Sequence, residues 1–180
     1  TIAGGTDMFA TTTKMYVRSS AGNVYKCMSN NSGAASTVEP SGTSTSEFTT
    51  GDDYVWKYMY SLTATETSNF LTTDFMAVHT DSTVSAAATN GSVLHYHIAN
   101  GGAGYTNGTY ATQTLRGDGA SATFTVIVSG GSVTSVVAVA AGTGYTFADC
   151  KIDSISGIGT PSTSAVVPPI IGPKGGHGKD

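Results

Sequence analysis

Apolar and polar positions alternate most sharply between residues 123 and 139. Phe124, Val126 and Val128 alternate with Thr123, Thr125 and Ile127, the period of a strand with one face buried. Gly130-Gly131 follows and Val133 to Val139 give a second apolar run, so the stretch predicts a hairpin turning on two glycines, which take the positive φ of a tight turn. The pattern recurs forty residues earlier, with Asn90-Gly91 ahead of Val93 to Ile98, and a hairpin is expected there too. Laid over each other, residues 83–122 and 123–162 are identical at ten of forty positions. The matches include Gly91-Ser92-Val93 with Gly131-Ser132-Val133, the G-x-G-Y-T corners at Gly102 to Thr106 and Gly142 to Thr146, and Gly117 and Gly119 with Gly157 and Gly159. A period of this size signals stacked supersecondary units. A third copy opens at Thr163, but Pro168-Pro169 falls where its strand should continue, and proline cannot donate to a ladder, so the array is expected to stop there.

The first half of the chain reads differently. Residues 1–13 lack periodicity and are expected to form an entry segment. Met15 to Arg18 and Asn23 to Met28 predict a hairpin closed by Ser19-Ser20-Ala21-Gly22. Residues 29–51 are almost all Ser, Thr, Asn and Gly, a long surface loop of the kind that is functional or held by a neighbour. After it comes Asp53-Tyr54-Val55-Trp56-Lys57-Tyr58-Met59-Tyr60, where strand alternation puts Tyr54, Trp56, Tyr58 and Tyr60 on one face. Four aromatics on one face form either a core, anchored by the only tryptophan, or a contact surface. Thr63 to Glu66 has the capping-box spacing and predicts a short helix over about 65–71, the only helix of note. Phe75, Met76 and Val78 then lead back toward a strand. The expected fold is mainly β: antiparallel hairpins of β-sandwich-like character, with an N-terminal domain over 1–82, a repeat domain over 83–170 (units 83–122 and 123–162), and a Gly-rich tail over 171–180.

Composition narrows the function. Hydrophobic residues at 39% are too many for a disordered chain of 180 residues, and charged residues make up only 11%. A net charge of −4 with eight Lys plus Arg gives no basic stripe, which argues against nucleic acid and against anionic membrane surfaces. No apolar run reaches the length of a membrane span. The chain opens on Thr1 and closes on Gly-Gly-His-Gly-Lys-Asp, and reads as an excerpt of a longer one. Cys27 and Cys150 either pair or remain two reduced thiols, the second being favoured in a reducing compartment.

Several motifs invite a chemical reading and have a plainer one. His95 and His97 share a strand face, with His79 and His177 as further candidate ligands, but two histidines fall short of a metal site and the second copy carries Ser135 and Val137 instead. Arg116-Gly117-Asp118 leads into the Asp118-Gly119 turn, and its glycines recur without the charges. Gly102 and Gly104 are followed by no third glycine and no helix, which rules out a dinucleotide loop. Glu39, Glu47 and Asp52-Asp53 lack the spacing of a calcium loop or an opposed carboxylate pair. No serine sits in a nucleophile elbow and neither cysteine stands beside a histidine. The expectation is therefore no enzyme, no cofactor, no metal and no small-molecule substrate.

Three segments in order carry a resemblance: Val24-Tyr25-Lys26-Cys27-Met28-Ser29-Asn30-Asn31, then Ser36-Thr37-Val38-Glu39-Pro40-Ser41-Gly42-Thr43-Ser44, then the Asp53 to Tyr60 strand. With Phe70-Leu71-Thr72-Thr73-Asp74 and the closing Pro173 to Asp180, they resemble the baseplate wedge protein of T-even-like contractile-tailed bacteriophages, in its cyanophage-type form with G-x-G-Y-T repeats. Asp52-Asp53 stands where that family often has a glycine. G-x-G-Y-T units themselves occur widely in phage tail and fibre proteins. The resemblance implies a structural protein of the virion, assembled in the host cytoplasm, that forms a homodimer and binds other baseplate wedge proteins. On this reading Val38, Glu39, Pro40, Tyr54, Trp56, Tyr58 and Tyr60 are the candidate partner contacts. The alternative from another class is a carbohydrate- or receptor-binding tail module that uses Trp56 and its neighbouring tyrosines as a platform.

Overall fold

The computed structural model describes residues 15–179, so the expected entry segment lies outside the described residues. The chain is mainly β, 39% strand against 12% helix, with every strand pairing antiparallel. It divides into two compact units between Ala88 and Thr89. A boundary after residue 82, as drawn from the repeats, would fall inside a helix.

The first unit is built on one sheet. Strands β1 (Tyr16–Arg18) and β2 (Asn23–Asn30) form the expected hairpin, and β3 (Phe48–Thr49) and β4 (Tyr54–Ser61) complete the order β1-β2-β4-β3. Helix α1 (Ala64–Phe70) starts where the capping box placed it: Thr63 Oγ1 accepts from the Glu66 N–H at 3.1 Å and Glu66 Oε2 accepts from the Thr63 N–H at 2.8 Å. A second helix, α2 (Ser82–Ala87), was not expected. Asp81 Oδ1 caps it by accepting from the N–H groups of Thr83 and Val84, and Val84 anchors it, 2% exposed, against Tyr25, Trp56 and Tyr58. A six-residue helix does not persist alone, so this anchor, worth about 1.5–3 kcal/mol, holds it. No strand forms over Phe75 to Val78. Met76 packs beside Tyr60, while Phe75 and Val78 are each 75% exposed.

One expectation about the aromatic strand fails for a local reason. The pairing of β2 with β4 runs Val24↔Tyr60 and then Tyr25↔Tyr58, which leaves Met59 as an extra residue on β4. Such a bulge reverses the alternation beyond it. Tyr54, Trp56 and Tyr58 therefore pack on one face with Tyr25, and Tyr60 joins Val24 and Met59 on the other.

The second unit holds the repeats. Its strands are β5 (Val93–Tyr96), β6 (Gly108–Thr114), β7 (Arg116–Gly117), β8 (Ala120–Ser129), β9 (Ser132–Thr143), β10 (Ala148–Asp149) and β11 (Pro169–Ile171). The β8–β9 hairpin turns at Gly130-Gly131, and Ala122, Phe124, Val126 and Val128 face the core along β8. Asn90-Gly91 also turns, with the Ser92 N–H donating to Thr89 O at 3.2 Å, but no hairpin closes there because the preceding residues are α2. The partner of β5 is β11, through Pro169↔Tyr96, Ile170↔His95 and Ile171↔Val93.

The third copy thus does not stop at its prolines. Its first residues do for the first copy what β8 does for the second. His97 N–H donates to Pro168 O at 3.1 Å, Ala99 N–H to Val166 O at 2.9 Å and Ala103 N–H to Thr163 O at 2.9 Å, extending the β5–β11 ladder. Pro169 occupies the first position of its strand, where a missing N–H is tolerated.

The two corners dock reciprocally. Tyr105 N–H donates to Gly131 O and Tyr145 N–H to Gly91 O, both at 3.0 Å, so each corner sits on the glycine turn of the other copy. Thr106 N–H meets Ile158 O at 2.8 Å, and Thr146 N–H meets Asp118 Oδ1 at 2.9 Å, positions equivalent at the repeat offset. The repeated glycines stand where these corners pass. A Cβ on Gly119 would lie 2.4 Å from Tyr145 Cγ, and one on Gly159 would lie 2.7 Å from Thr106 Oγ1. Both tyrosine rings are buried, at 4% and 3% exposure.

Candidate functional site

The polar loop and the aromatic strand lie side by side in the first unit, and polar side chains tie one to the other. Asp52 is the main tie. Its Oδ2 accepts from Ser36 Oγ at 2.8 Å and from the N–H groups of Thr37 and Val38 at 2.7 and 3.0 Å, while Oδ1 accepts from Thr50 Oγ1 at 2.6 Å. These donors, Thr50 first, hold its carboxyl far below the usual carboxylate range. Glu39 reaches the β1–β2 turn, where Oε1 accepts from both the N–H and Oγ of Ser20 at 2.7 Å, and those bonds lower its pKa. Tyr25 OH donates to Gly42 O at 2.7 Å, Tyr54 OH to Ala34 O, and Lys57 Nζ to Thr45 O at 2.6 Å. Burial holds the Lys57 ammonium below its ordinary pKa.

The loop therefore takes its order from its own unit. Twenty-odd polar residues with little apolar surface suggested order gained on a partner, but pairing was available from side chains that a sequence pattern does not connect. Asp52 and the tyrosine hydroxyls supply it.

The seven candidate contacts separate by exposure. Val38 is 39% exposed and Glu39 is exposed, whereas Pro40 is buried. Tyr54 is half-buried and stacks on Trp56 with ring centroids 5.4 Å apart and planes 18° apart. Trp56, Tyr58 and Tyr60 are 3–4% exposed, so the strand serves as core. Their polar atoms are bonded within the unit: Trp56 Nε1 to Thr50 Oγ1 at 3.2 Å, Tyr58 OH with Ser61 Oγ at 2.7 Å, Tyr60 OH to Ala77 O at 3.0 Å.

Among its described residues the first unit exposes Val38 with the loop backbone around it, and the apolar side chains of Phe70, Phe75 and Val78. In the second unit Ile127, Val137, Val139, Phe147 and Val166 are exposed. The sequence pattern missed Phe70 and Phe75 as surface residues because both fit a helix or strand face. The signal for them was the lack of any second apolar run for that face to meet.

The chemically suggestive residues have structural partners. Asp118 accepts from Thr146 N–H at 2.9 Å, from Thr146 Oγ1 and from Phe147 N–H at 3.1 Å, and these bonds hold its carboxyl at about 2. It pins the second corner, the role that the Ile158 carbonyl plays at the first. Burial keeps His97 below the ordinary histidine value; it follows directly after β5 and is buried, while His95 on β5 is half-buried. Among the described residues no group of three or more His, Cys, Asp or Glu could hold a metal ion, and no helix is long and apolar enough to cross a membrane. Cys27 and Cys150 are both free thiols. Burial pushes the Cys150 thiol up to about 12 and raises Cys27.

No protein-family model, curated protein or solved structure matches this chain.

Proposed function

We propose that the chain is a structural component of a phage tail baseplate, a wedge subunit that acts through contacts with other wedge proteins. The observation that carries the reading is the order of its motifs: the Tyr25-x-Cys27 strand, the Ser36 to Ser44 loop, the Tyr54 to Tyr60 strand, a short helix, and Phe70 to Asp74. These segments belong to one physical piece. Asp52 and Tyr25 lock the loop onto the two central strands, and α1 follows directly. A rigid sheet that displays a pinned polar loop suits a protein held by its neighbours, because little conformational entropy remains to be lost when it binds.

The carbohydrate- or receptor-binding alternative needs an exposed aromatic platform. Trp56 at 3% exposure does not offer one, so that reading would need another surface.

The test is localisation. Antibody raised against the chain is applied to purified tailed particles of the phage that encodes it, and the particles are viewed by electron microscopy. Label at the end of the tail is expected. Particles that lack the chain, or that carry it only on the head, would overturn the proposal. A glycan array gives the alternative its own readout, and selective binding there would favour it.

A further inference from the structure

The Asn90-Gly91 and Gly130-Gly131 turns hold equivalent places in the two copies, and each receives the corner of the other through a tyrosine N–H on the carbonyl of Gly91 or Gly131. They differ in one bond. At the first corner Asn107 Oδ1 accepts from the Gly131 N–H at 2.8 Å. The residue forty positions on is Phe147, 65% exposed, whose ring has no such acceptor to offer. The Gly91 N–H accordingly has no hydrogen-bond partner among the described residues, although Gly91 is buried. Buried backbone N–H groups are nearly always paired, so this one calls for an acceptor from outside the chain.

Gly91 lines a cleft of about 550 Å³, a size usual for small-ligand sites. Its walls are the Asn90-Gly91 turn, the second corner at Gly144 to Thr146, and the chain after β11 at Ile171, Gly172 and Lys174. Two more donors line it. Asn90 Oδ1 accepts the Gly175 N–H at 2.8 Å, which leaves Asn90 Nδ2 to donate. The same bond brings Lys174, next in the chain, to the turn, and Lys174 has no carboxylate partner among the described residues. The acceptors at this corner are already engaged. Asn90 O takes the Gly144 N–H at 2.9 Å and Gly91 O takes the Tyr145 N–H at 3.0 Å, while the Asp118 carboxylate is occupied by Thr146 and the Phe147 N–H.

We propose that this cleft binds a small organic carboxylate. The anion takes the Gly91 N–H, Asn90 Nδ2 and the Lys174 ammonium, and the body of the ligand rests on Ile171 and the glycine backbone. One carboxylate oxygen then does for Gly91 what Asn107 Oδ1 does for Gly131, strengthened by charge. The inference rests on the second unit alone and stands apart from the proposed function.

The test follows the Gly91 amide itself, by nitrogen-15 nuclear magnetic resonance on the full labelled chain. Sodium benzoate and sodium glucuronate are the probes, so that an aromatic and a sugar body are compared, with benzyl alcohol and glucose as their neutral counterparts. At least one carboxylate is expected to move the Gly91 amide resonance to a saturating limit while the Gly131 amide, already bonded to Asn107, stays in place. The neutral counterparts should leave both unmoved. Lys174 is exposed, so Lys174→Met should keep the spectrum of the folded chain and weaken binding about tenfold or more. A Gly91 resonance that neither carboxylate moves overturns the proposal. So does an equal response to the neutral counterpart, an equal response of Gly131, or undiminished binding by the Lys174→Met chain.

Discussion

At the scale of single residues, glycines and carboxylates define the second unit. Gly119 has no side chain because Tyr145 passes through the space one would fill. Gly119→Ala is expected to destabilise the chain by about 1–3 kcal/mol, the usual range for forcing an extra methyl into packed space. Gly108→Ala is its control, since the nearest atom to a Cβ there is 3.6 Å away, and it should change stability by less than about 0.5 kcal/mol. Thermal melts of the two variants side by side check this. Asp118 gives the unit a pH dependence. Its carboxyl sits at about 2 when folded, against roughly 3.9 in an unfolded chain. A depressed folded value means that its contribution is fully present above the unfolded value and is lost as pH falls through about 2. Melting temperature should therefore fall between about pH 4 and 2, and Asp118→Asn should flatten that part of the profile. Cys150 works in the opposite direction. Its folded value, about 12, lies above the unfolded one, so its contribution is present below about pH 8.5 and lost as pH rises toward 12. A thiol reagent on the native chain should reach half-buried Cys27 before buried Cys150.

At the scale of elements, the outer part of β9 is an exposed apolar edge of the second unit. Val137 and Val139 are 52% and 58% exposed on a strand that ends its sheet, beside Ala138, Ala140 and Ala141, all exposed. No charge or proline guards this stretch, although the extra residue at Val139 in the β8–β9 register bends it. Val137→Lys is expected to leave the melt within about 0.5 kcal/mol of the original and to reduce self-association in concentrated solution, as read by light scattering. Unchanged scattering would show that the edge is already protected. Elements are also where the limits of sequence reading show. The β8–β9 hairpin was legible because Phe124, Val126 and Val128 alternate up to a glycine pair and nothing distant competes. The matching hairpin at Asn90-Gly91 is read from the repeat, the turn and the apolar run Val93 to Ile98 after it, but no alternating run precedes it. The competing signal, Asp81 ahead of Ser82-Thr83-Val84-Ser85-Ala86-Ala87, is an N-cap followed by helix-tolerant residues, and it was present in the sequence. Tyr60 could not be placed from period two, because a bulge is set by pairing with β2 and leaves no local mark. The loop ties fall in the same class: Asp52 reads as a turn residue, and its bonds to Ser36, Thr37 and Val38 cross fourteen to sixteen positions.

At the scale of the whole molecule, two units of different construction follow one another in the chain. The first is a sheet with an aromatic core on one face and a loop locked by polar bonds. The second is a pair of copies that hold each other, with a third-copy strand in the place that the first copy's own residues vacate. The repeat was visible in the sequence, but its mutual docking was not, since identical glycines look the same whether they serve their own copy or the other. In the proposed wedge subunit, the pinned loop and the exposed apolar side chains are the surfaces left for neighbours, and the repeats supply a rigid body behind their own share of that surface. Closure of the second unit by the third-copy strand is what native-state hydrogen exchange tests most directly. The amides of His97 and Ala99, which donate to Pro168 and Val166, and those of Tyr105 and Tyr145, which donate across the copies, should exchange only with global unfolding, at the same free energy as the amides in the centre of β8. If His97 and Ala99 exchange as fast as the exposed Gly130 turn while β8 stays protected, the third-copy strand does not close the array and the account is wrong.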